Sequence, residues 1–264
     1  MRTTHLLFLL PLLAASLPTP AGSQLRTTPI NVYDGFETPA LGPLWDTSRL
    51  ELSSIRMESQ IVRAGHQAIA ITVRPDDKFE PGNAHSADSE RDELMEARSL
   101  VPHIGRAQEY SFSEYFAPDF PVVPVRLVIA QWKQYCPETT HLCYDNSPVL
   151  AFRYIGGVFS VTQDLGGKTI TLYEQAGEFR GKWHDFRVQA RFVPDASGHI
   201  KVWLDGKQIV DHHGITAYAE TPDSGYPQNG YIYFKMGLYR NLMTKPMTVY
   251  IDEYRKRDLT ESGF

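Results

Sequence analysis

Polar and apolar residues alternate over short stretches along much of the chain, and a period of two is typical of strands. The clearest stretch runs from residue 231 to 240. One of its faces is apolar and comprises Ile232, Phe234, Met236 and Leu238. The other comprises Tyr231, Tyr233, Lys235 and Tyr239, with Gly237 before the last tyrosine. This pattern predicts the floor of a cleft for a polar, anionic ligand. A half-exposed strand of an ordinary antiparallel sandwich is the alternative, because tyrosine is favoured in strands anyway.

Other strand-like runs follow the same rule along the chain. They cover residues 68–73, 89–96, 109–116, 125–135, 149–161, 183–192, 200–204 and 248–254. Residues 74–88 are polar and contain two prolines, which predicts a long surface loop, and Asp205-Gly206 predicts a tight hairpin. No helix longer than a turn or two is predicted. Many short strands separated by turns predict an all-β fold, a concanavalin-like jelly-roll sandwich of two antiparallel sheets with a concave substrate groove.

Two of these runs carry charged and amide side chains on one face. Residues 89–96, as a strand, place Arg91 and Glu93 on the same side as Met95. A helix is the alternative, and the strand is preferred because the runs that follow are strand-like. In residues 125–135, Gln131 and Lys133 share a face. These strands therefore resemble residues 231–240 in presenting polar groups from a sheet.

Composition and charge restrict where the protein acts and what it binds. The 264 residues are 42% hydrophobic and 22% charged, which suits a single domain. Residues 1–23 have a basic start, a short apolar run and small residues near their end, so we expect a signal peptide. After its cleavage, residues 24–264 would be a secreted or periplasmic, soluble domain without a membrane anchor, and an uncleaved membrane tether is the alternative. A net charge of −5 argues against a nucleic-acid partner.

The two cysteines, Cys136 and Cys143, lie close together in the sequence. Export places them where disulfides persist, so we expect them to form one. A zinc site is the weaker alternative, because His141 is the only neighbouring histidine and further ligands would be required.

Three stretches of the chain carry a family resemblance: Arg91-Asp92-Glu93-Leu94, Gln131-Trp132-Lys133 and residues 233–240. In this order they resemble the core motifs of jelly-roll polysaccharide lyases, a group that includes alginate, glucuronan and heparin lyases. Residues 34–37 (DGFE), 181–186 (GKWHDF) and 202–207 (VWLDGK) are similar to flanking signatures of the heparin lyase I and glucuronan lyase branch. The resemblance implies an enzyme that cleaves a uronic-acid polysaccharide by β-elimination, with glucuronan as first choice and alginate or heparin-like chains next.

The resemblance also implies roles for particular residues. β-Elimination needs donors on the substrate carboxylate, a base for the C5 proton and an acid for the leaving oxygen. Gln131 matches the carboxylate neutraliser, since an amide donates hydrogen bonds without competing for the proton. Tyr239 matches the acid, and serves as base too in one version, because cationic Lys235 and Arg240 nearby would stabilise its anion. Where the alginate lyase pattern has a histidine, this chain has Lys133. The glucuronan lyase branch supplies a histidine from upstream of the glutamine, so the resemblance implies His85 as the base; a solvent-exposed histidine without a catalytic role is the alternative.

The remaining assignments concern binding. Arg91 is expected to contact the substrate carboxylate with Glu93 as its orienting partner, and a simple cross-strand ion pair is the alternative. Lys133, Lys235 and Arg153 are expected to form a basic lining, and Tyr231 and Tyr233 to stack on sugar rings. Catalysis needs no cofactor in this scheme.

Folds of this type often join the N-terminal segment to the last strand through calcium, which the resemblance would assign to Glu37 and Asp252 as a structural site. Two solvated carboxylates without a metal are the alternative. The protein is expected to act as a monomer.

Two other functions compete with a lyase. A laminarinase-like glycoside hydrolase needs two carboxylates on one strand face, and Glu90, Asp92 and Glu96 share a parity. A lectin-like carbohydrate-binding module would keep the aromatic and basic cleft without needing Gln131 and Tyr239 together.

Overall fold

The computed structural model describes residues 29–48, 50–78, 88–135, 147–166, 168–219 and 230–260. The expected signal peptide, His85, Cys136 and Cys143 lie outside these residues, so the structure does not test them. Two short 3-10 helices, Leu52–Ser54 and Arg98–Leu100, occur in the described part of the chain. No helix among the described residues is both long and apolar enough to cross a membrane.

The described residues form two antiparallel sheets. The strands of the first, here the back sheet, are β1 (Asn31–Asp34), β3 (Ile55–Glu58), β4 (Ala68–Val73), β6 (Ala107–Phe116), β11 (Trp183–Arg191), β12 (Gly198–Leu204), β13 (Lys207–Gly214) and β15 (Met247–Asp258). Those of the second, the front sheet, are β2 (Trp45–Asp46), β5 (Ser89–Glu96), β7 (Leu127–Gln134), β8 (Leu150–Ile155), β9 (Val158–Asp164), β10 (Thr169–Ala176) and β14 (Ile232–Asn241). The jelly-roll sandwich predicted from the sequence is confirmed.

Strand order brings distant parts of the chain together. The back sheet runs β13-β12-β11-β6-β15-β4-β3, and β1 pairs with β15. The front sheet runs β10-β9-β8-β7-β14-β5-β2. Thus β14 lies between β7 and β5, and the three stretches that carry the family resemblance are adjacent strands of one sheet.

Most predicted strands are found close to their predicted bounds, and the exception has a local cause. The run at residues 149–161 is two strands, β8 and β9, joined by Gly156-Gly157. Both glycines have positive φ, 60° and 84°, which matches the two-residue hairpin turns that a right-twisted strand pair prefers. The Gly156-Gly157 turn thus divides what the sequence predicted as one strand into two.

Aromatic side chains from both sheets fill the space between them. On the front sheet, the ring centroids of Trp132 and Phe234 are 4.7 Å apart. Across the interface, the Phe112 ring on β6 lies 5.3 Å from Phe234 and 6.3 Å from Phe152. All four are at most 1% exposed, and burying each such side chain contributes about 1.5–3 kcal/mol. The alternating apolar residues of the sequence are therefore the interior faces of the sheets.

The inner face of β5 carries three acids, two of which pair with buried cations. Glu90 pairs with Arg240 at 2.8 Å, and Glu96 pairs with Lys256 at 2.7 Å. Asp92 accepts a hydrogen bond from the backbone N–H of Glu51 at 2.8 Å, and its burial raises its pKa to about 8. These three carboxylates point away from the outer face, so they cannot form the exposed pair that the glycoside hydrolase alternative requires.

The turn at residues 63–67 is held by the two carboxylates that were expected to bind calcium. Glu37 Oε1 accepts the backbone N–H groups of His66 and Gln67 at 2.8 and 3.3 Å. Asp252 Oδ2 accepts those of Arg63 and Ala64 at 2.9 and 3.1 Å. One oxygen of each carboxylate thus joins the turn directly to the N-terminal segment or to the last strand. The calcium ion stays a prediction.

Candidate active site

The candidate site lies on the outer face of the front sheet, where β14 is flanked by β7 and β5. Lys235 on β14 is opposite Gln131 on β7. On the other side, Gly237 is opposite Glu93 and Tyr239 is opposite Arg91 on β5. Since directly opposite residues in an antiparallel pair lie about 4.5–5.5 Å apart, this register gathers the predicted polar residues into one patch.

The predicted parity of β14 is confirmed over its centre. Phe234, Met236 and Leu238 are fully buried in the interior, and Lys235 and Tyr239 point to the opposite face. The expectation that Arg240 assists Tyr239 is wrong. Arg240 is fully buried and donates to Glu90 on the inner side, because successive strand residues point to opposite faces.

Glu93 is the centre of a buried polar cluster on the outer face. It is 1% exposed, accepts a hydrogen bond from the Gln131 side-chain amide, and lies 2.9 Å from Lys235 Nζ and 3.8 Å from Arg91 Nη1. Burial alone would raise the Glu93 pKa, but the charges of Lys235 and Arg91, with hydrogen bonds from Lys235 and Gln131, keep it below its ordinary value. Glu93 is therefore an anion that fixes the orientation of Gln131.

Gly237 allows β14 to approach β5 closely beside this cluster. Its φ is +129°, and an added Cβ would lie 2.4 Å from the Asp92 carbonyl oxygen and 3.0 Å from Glu93 Cα. Only glycine accepts both conditions without strain. The glycine noted in the sequence before Tyr239 thus sets the spacing between the two strands at the site.

Tyr239 is surrounded by arginines. The Arg91 guanidinium lies 4.1 Å from the centre of the Tyr239 ring and that of Arg126 lies 4.4 Å from it. Arg126 Nη1 also donates to the phenolic oxygen at 3.0 Å. Arg91 and Arg126 thus lie beside Tyr239, where the sequence had placed Arg240.

Arg126 was missed from the sequence because β7 is irregular. Register shifts occur on both sides of Ile129: Ala130 is opposite Met236, whereas Val128 is opposite Tyr239. Gly237 and Leu238 of β14 thus lie opposite the single residue Ile129. On the other side of β7, Val128 and Ala130 lie opposite the consecutive β8 residues Arg153 and Phe152, so β7 has one extra residue relative to β8. This β-bulge reverses the alternation in β7 beyond Ile129. Simple parity with Gln131 would therefore place Arg126 on the wrong face. Its contact with Tyr239 shows that it belongs to the cleft.

Arg153 extends this basic surface onto β8. It is opposite Val128, and its Nε donates to Thr162 Oγ1 at 3.0 Å. Burial and the neighbouring charge of Arg126 lower the Arg153 pKa, while Asp164 and Tyr239 oppose that shift. The predicted lining residue therefore lies near Tyr239 and Arg126.

The other predicted binding residues lie further along the sheet. Lys133 is opposite Tyr233, which places both beside Lys235 and Gln131. Tyr231 lies beyond the end of β14, where the Arg98 guanidinium is 3.9 Å from its ring centre and the His103 ring is 4.2 Å away. Tyr231 is thus already packed against protein groups, whereas Tyr233 lies in the strand beside the polar patch.

Comparisons with known proteins identify the relatives of this arrangement. The family model described as polysaccharide lyase matches residues 36–255. The chain belongs to the polysaccharide lyase family. This match spans all three strands of the site and agrees with the expected enzyme class, a lyase acting on polysaccharides. No curated protein matches the chain.

Several solved structures share the fold of this polysaccharide lyase. The endo-β-1,4-glucuronan lyase of the fungus Trichoderma reesei is 19% identical, with a TM-score of 0.60 over 78% of this chain and 87% of that one. Alginate lyase AlgAT5 of polysaccharide lyase family 7 is 13% identical, with a TM-score of 0.54 over 81% and 86%. A GH131 β-glucanase catalytic domain from Podospora anserina is 11% identical, with a TM-score of 0.51 over 83% and 86%. At these identities the likeness shows the fold, which lyases and a glucanase share.

Proposed function

We propose that this polysaccharide lyase cleaves a uronic-acid polymer by β-elimination on the outer face of the front sheet. The observation that carries the proposal is the arrangement around Tyr239 and Gln131. A phenol hydrogen-bonded by Arg126 and a carboxamide oriented by Glu93 face the same cleft. The acidic polysaccharide is the only partner that the proposal requires, and the protein acts as a monomer.

The chemistry follows from the needs of the reaction. The C5–H bond breaks and its electron pair forms the C4–C5 double bond, while the C4–O bond breaks and the leaving oxygen takes a proton. In the transition state negative charge spreads onto the substrate carboxylate, to which Gln131 donates the amide hydrogen that Glu93 does not accept. Arg91, at the edge of the cluster, contributes a second donor to the same carboxylate.

Tyr239 transfers the proton to the leaving oxygen. Arg126 donates to the phenolic oxygen, so a phenolate formed by that transfer is paired with a positive charge as it develops. The base that removes the C5 proton is either Tyr239 itself or His85, the histidine expected from sequence.

Glucuronan is the first choice of substrate, with alginate and heparin-like chains behind it. The sequence signatures of the glucuronan lyase branch support this order. The fold likeness to a glucuronan lyase, at a TM-score of 0.60, agrees with it. The basic residues Lys133, Lys235 and Arg153 suit a polymer with a carboxylate on each sugar.

The first experiment identifies the reaction. The purified protein is incubated with each of the three polymers while ultraviolet absorbance of the C4–C5 unsaturated uronate is followed. Rising absorbance is expected, fastest with glucuronan. New reducing ends without that absorbance would indicate hydrolysis, and binding without either product would indicate a lectin. Either result would overturn the proposal.

The second experiment assigns the proton donor. Tyr239→Phe removes one hydroxyl and keeps the ring between its arginines, so turnover is expected to be lost while substrate binding remains. Tyr233→Phe on the same face is the matched control and should keep most of its turnover. Near-normal turnover of Tyr239→Phe would rule out proton transfer by this residue.

The base is tested with His85→Ala. Loss of turnover in this variant would assign the base to His85, and unchanged turnover would leave Tyr239 as both acid and base.

Gln131 is tested by separating kcat from KM. Since the amide is expected to bind the developing dianion more strongly than the ground-state carboxylate, Gln131→Ala should lower kcat. A change in KM alone would make Gln131 a binding residue.

We also propose that the chain is exported after cleavage near residue 23 and carries a Cys136–Cys143 disulfide. The composition of residues 1–23 supports export. The N-terminal sequence of the mature protein tests the cleavage, and its mass before and after reduction and alkylation tests the disulfide. A mature chain that begins at Met1, or two alkylated cysteines without reduction, would contradict these points.

A further inference from the structure

Two histidines and an aspartate form a cluster on the outer face of the back sheet, whereas the candidate active site lies on the front sheet. His199 on β12 is directly opposite His213 on β13. Asp211 lies two residues before His213, and residues two apart in a strand share a face. The three side chains, here the His199–Asp211–His213 cluster, therefore converge because of the hairpin's register.

The distances within the cluster are close to those between the ligands of one metal ion. Asp211 Oδ1 lies 2.5 Å from His199 Nε2 and 3.3 Å from His213 Nε2, and the ligand atoms all lie within 4.8 Å of one another. In a tetrahedral zinc site with bonds of about 2.0–2.1 Å, ligand atoms are separated by roughly 3.3–3.4 Å. The Asp211–His213 distance matches this spacing, whereas the Asp211–His199 distance is shorter and the two imidazole rings stack with centroids 3.6 Å apart. Binding a metal ion would therefore require His199 and Asp211 to move apart and the rings to rotate out of the stack.

We propose that the His199–Asp211–His213 cluster binds a zinc ion or a similar first-row transition metal. Two imidazoles and one carboxylate, with water as the fourth ligand, form a common zinc donor set. Imidazole nitrogens select such metals over calcium and magnesium, which prefer oxygen ligands. Among the described residues, this is the group of metal-ligating side chains that the geometry brings together.

A neighbouring side chain orients the carboxylate for this role. Gln208 Nε2 donates to Asp211 Oδ2 at 3.0 Å, which leaves Oδ1 directed at the histidines. Second-sphere hydrogen bonds of this kind hold metal ligands in position.

Positive neighbours limit the affinity. Arg191 is opposite His199, and Lys201 is opposite Asp211. Their charges oppose a dication, whereas Asp211 supplies one negative charge within the cluster. A metal bound here should stabilise the β12–β13 hairpin, because it would connect these two strands at the edge of the back sheet. The lyase cleft lies on the other sheet and does not depend on it.

The test is a zinc titration by calorimetry on protein whose purification tag has been removed. One saturable site per chain is expected, together with a zinc-dependent rise in Tm. His213→Ala and Asp211→Asn are expected to lower the affinity by about tenfold or more. Both side chains are partly exposed, at 69% and 49%, so these variants should fold. His66→Ala, which removes an exposed histidine elsewhere, is the matched control and should bind zinc like the wild type.

Absence of saturable zinc binding to the wild type would overturn the proposal. So would equal loss of affinity in His66→Ala and His213→Ala. Cleavage of the polysaccharide by His213→Ala should equal that of the wild type, with or without zinc, and zinc-dependent turnover would show that the metal acts elsewhere.

Discussion

Replacing Glu93 by glutamine should show how much the polar cluster of the cleft depends on one negative charge. Glu93 and Lys235 are 1% and 2% exposed, and their charged atoms are 2.9 Å apart. With an effective dielectric constant of about 20, this pair attracts by roughly 6 kcal/mol, and Arg91 at 3.8 Å adds roughly 4 kcal/mol. Desolvation offsets much of this attraction.

The net loss in the free energy of unfolding depends on Lys235, which stays buried without its partner in Glu93→Gln. Removing one partner of a buried ion pair typically costs about 3–5 kcal/mol, which in a chain of this size lowers Tm by roughly 6–20 °C. Urea unfolding of Glu93→Gln, followed by tryptophan fluorescence, measures the cost. The double variant Glu93→Gln/Lys235→Met should be more stable than the sum of the single effects implies, because neither charge is then left buried alone.

The pH dependence gives an independent check. The folded-state pKa of Glu93 lies below its ordinary value, so its contribution to stability is present above the unfolded pKa of about 4.3 and is lost as pH falls toward the folded value. The difference between wild type and Glu93→Gln should therefore shrink below about pH 4.

An exposed ion pair provides the control, and two results would refute the reasoning. Glu178→Gln removes a charge from the surface pair with Arg180 and should leave the unfolding midpoint unchanged. A cost below about 1 kcal/mol for Glu93→Gln would refute the buried-pair argument, since buried pairs cost more when broken. Strict additivity in the double variant would refute the coupling between Glu93 and Lys235.

Three further predictions follow from the site and the core. Arg126→Gln should lower kcat by about 100-fold, as the loss of one electrostatic stabiliser does, while its far-ultraviolet circular dichroism spectrum stays unchanged. A kcat equal to that of the wild type would show that Tyr239 does not need this partner. Gly237→Ala should cost at least about 1–3 kcal/mol in denaturant unfolding, because its Cβ would lie 2.4 Å from the Asp92 carbonyl oxygen; unchanged stability would mean that β5 and β14 separate easily. Burial raises the Glu114 pKa well above its ordinary value, so wild-type stability should fall as pH rises above about 4.3, by at most about 1.4 kcal/mol per unit from this group. Glu114→Gln should remove that slope in urea unfolding, and an identical slope would show that Glu114 is ionised in the folded state.

Local alternation was enough to predict the sandwich and much of the cleft. It placed residues 68–73 and 89–96 in strands with the bounds that β4 and β5 have. It also placed Lys235, Glu93 and Gln131 on faces that the sheet brings together, because period two is imposed by the backbone itself.

What alternation could not supply was any feature that breaks it. The bulge at Ile129 moves Arg126 into the cleft, and nothing in the residue types of β7 signals this reversal. Strand parity places the Arg240 side chain on the inner face of β14. Because Arg240 follows Tyr239 directly in sequence, the sequence suggested that the two side chains interact, but they point to opposite faces of the strand. The acids of β5 show a further limit, since only the structure shows that Arg240 and Lys256 neutralise Glu90 and Glu96 inside the sandwich.

The position of β14 between β5 and β7 has a consequence for how the chain reaches its native state. Glu93 and Lys235 are separated by 142 positions in sequence, so the cleft is a high-contact-order feature that forms slowly. During synthesis β5 and β7 emerge long before the strand that must join them, and their facing edges stay open until then. Unpaired edges of this kind favour aggregation. Production of this lyase should therefore improve at low temperature, and C-terminal truncations that remove β14 should be insoluble.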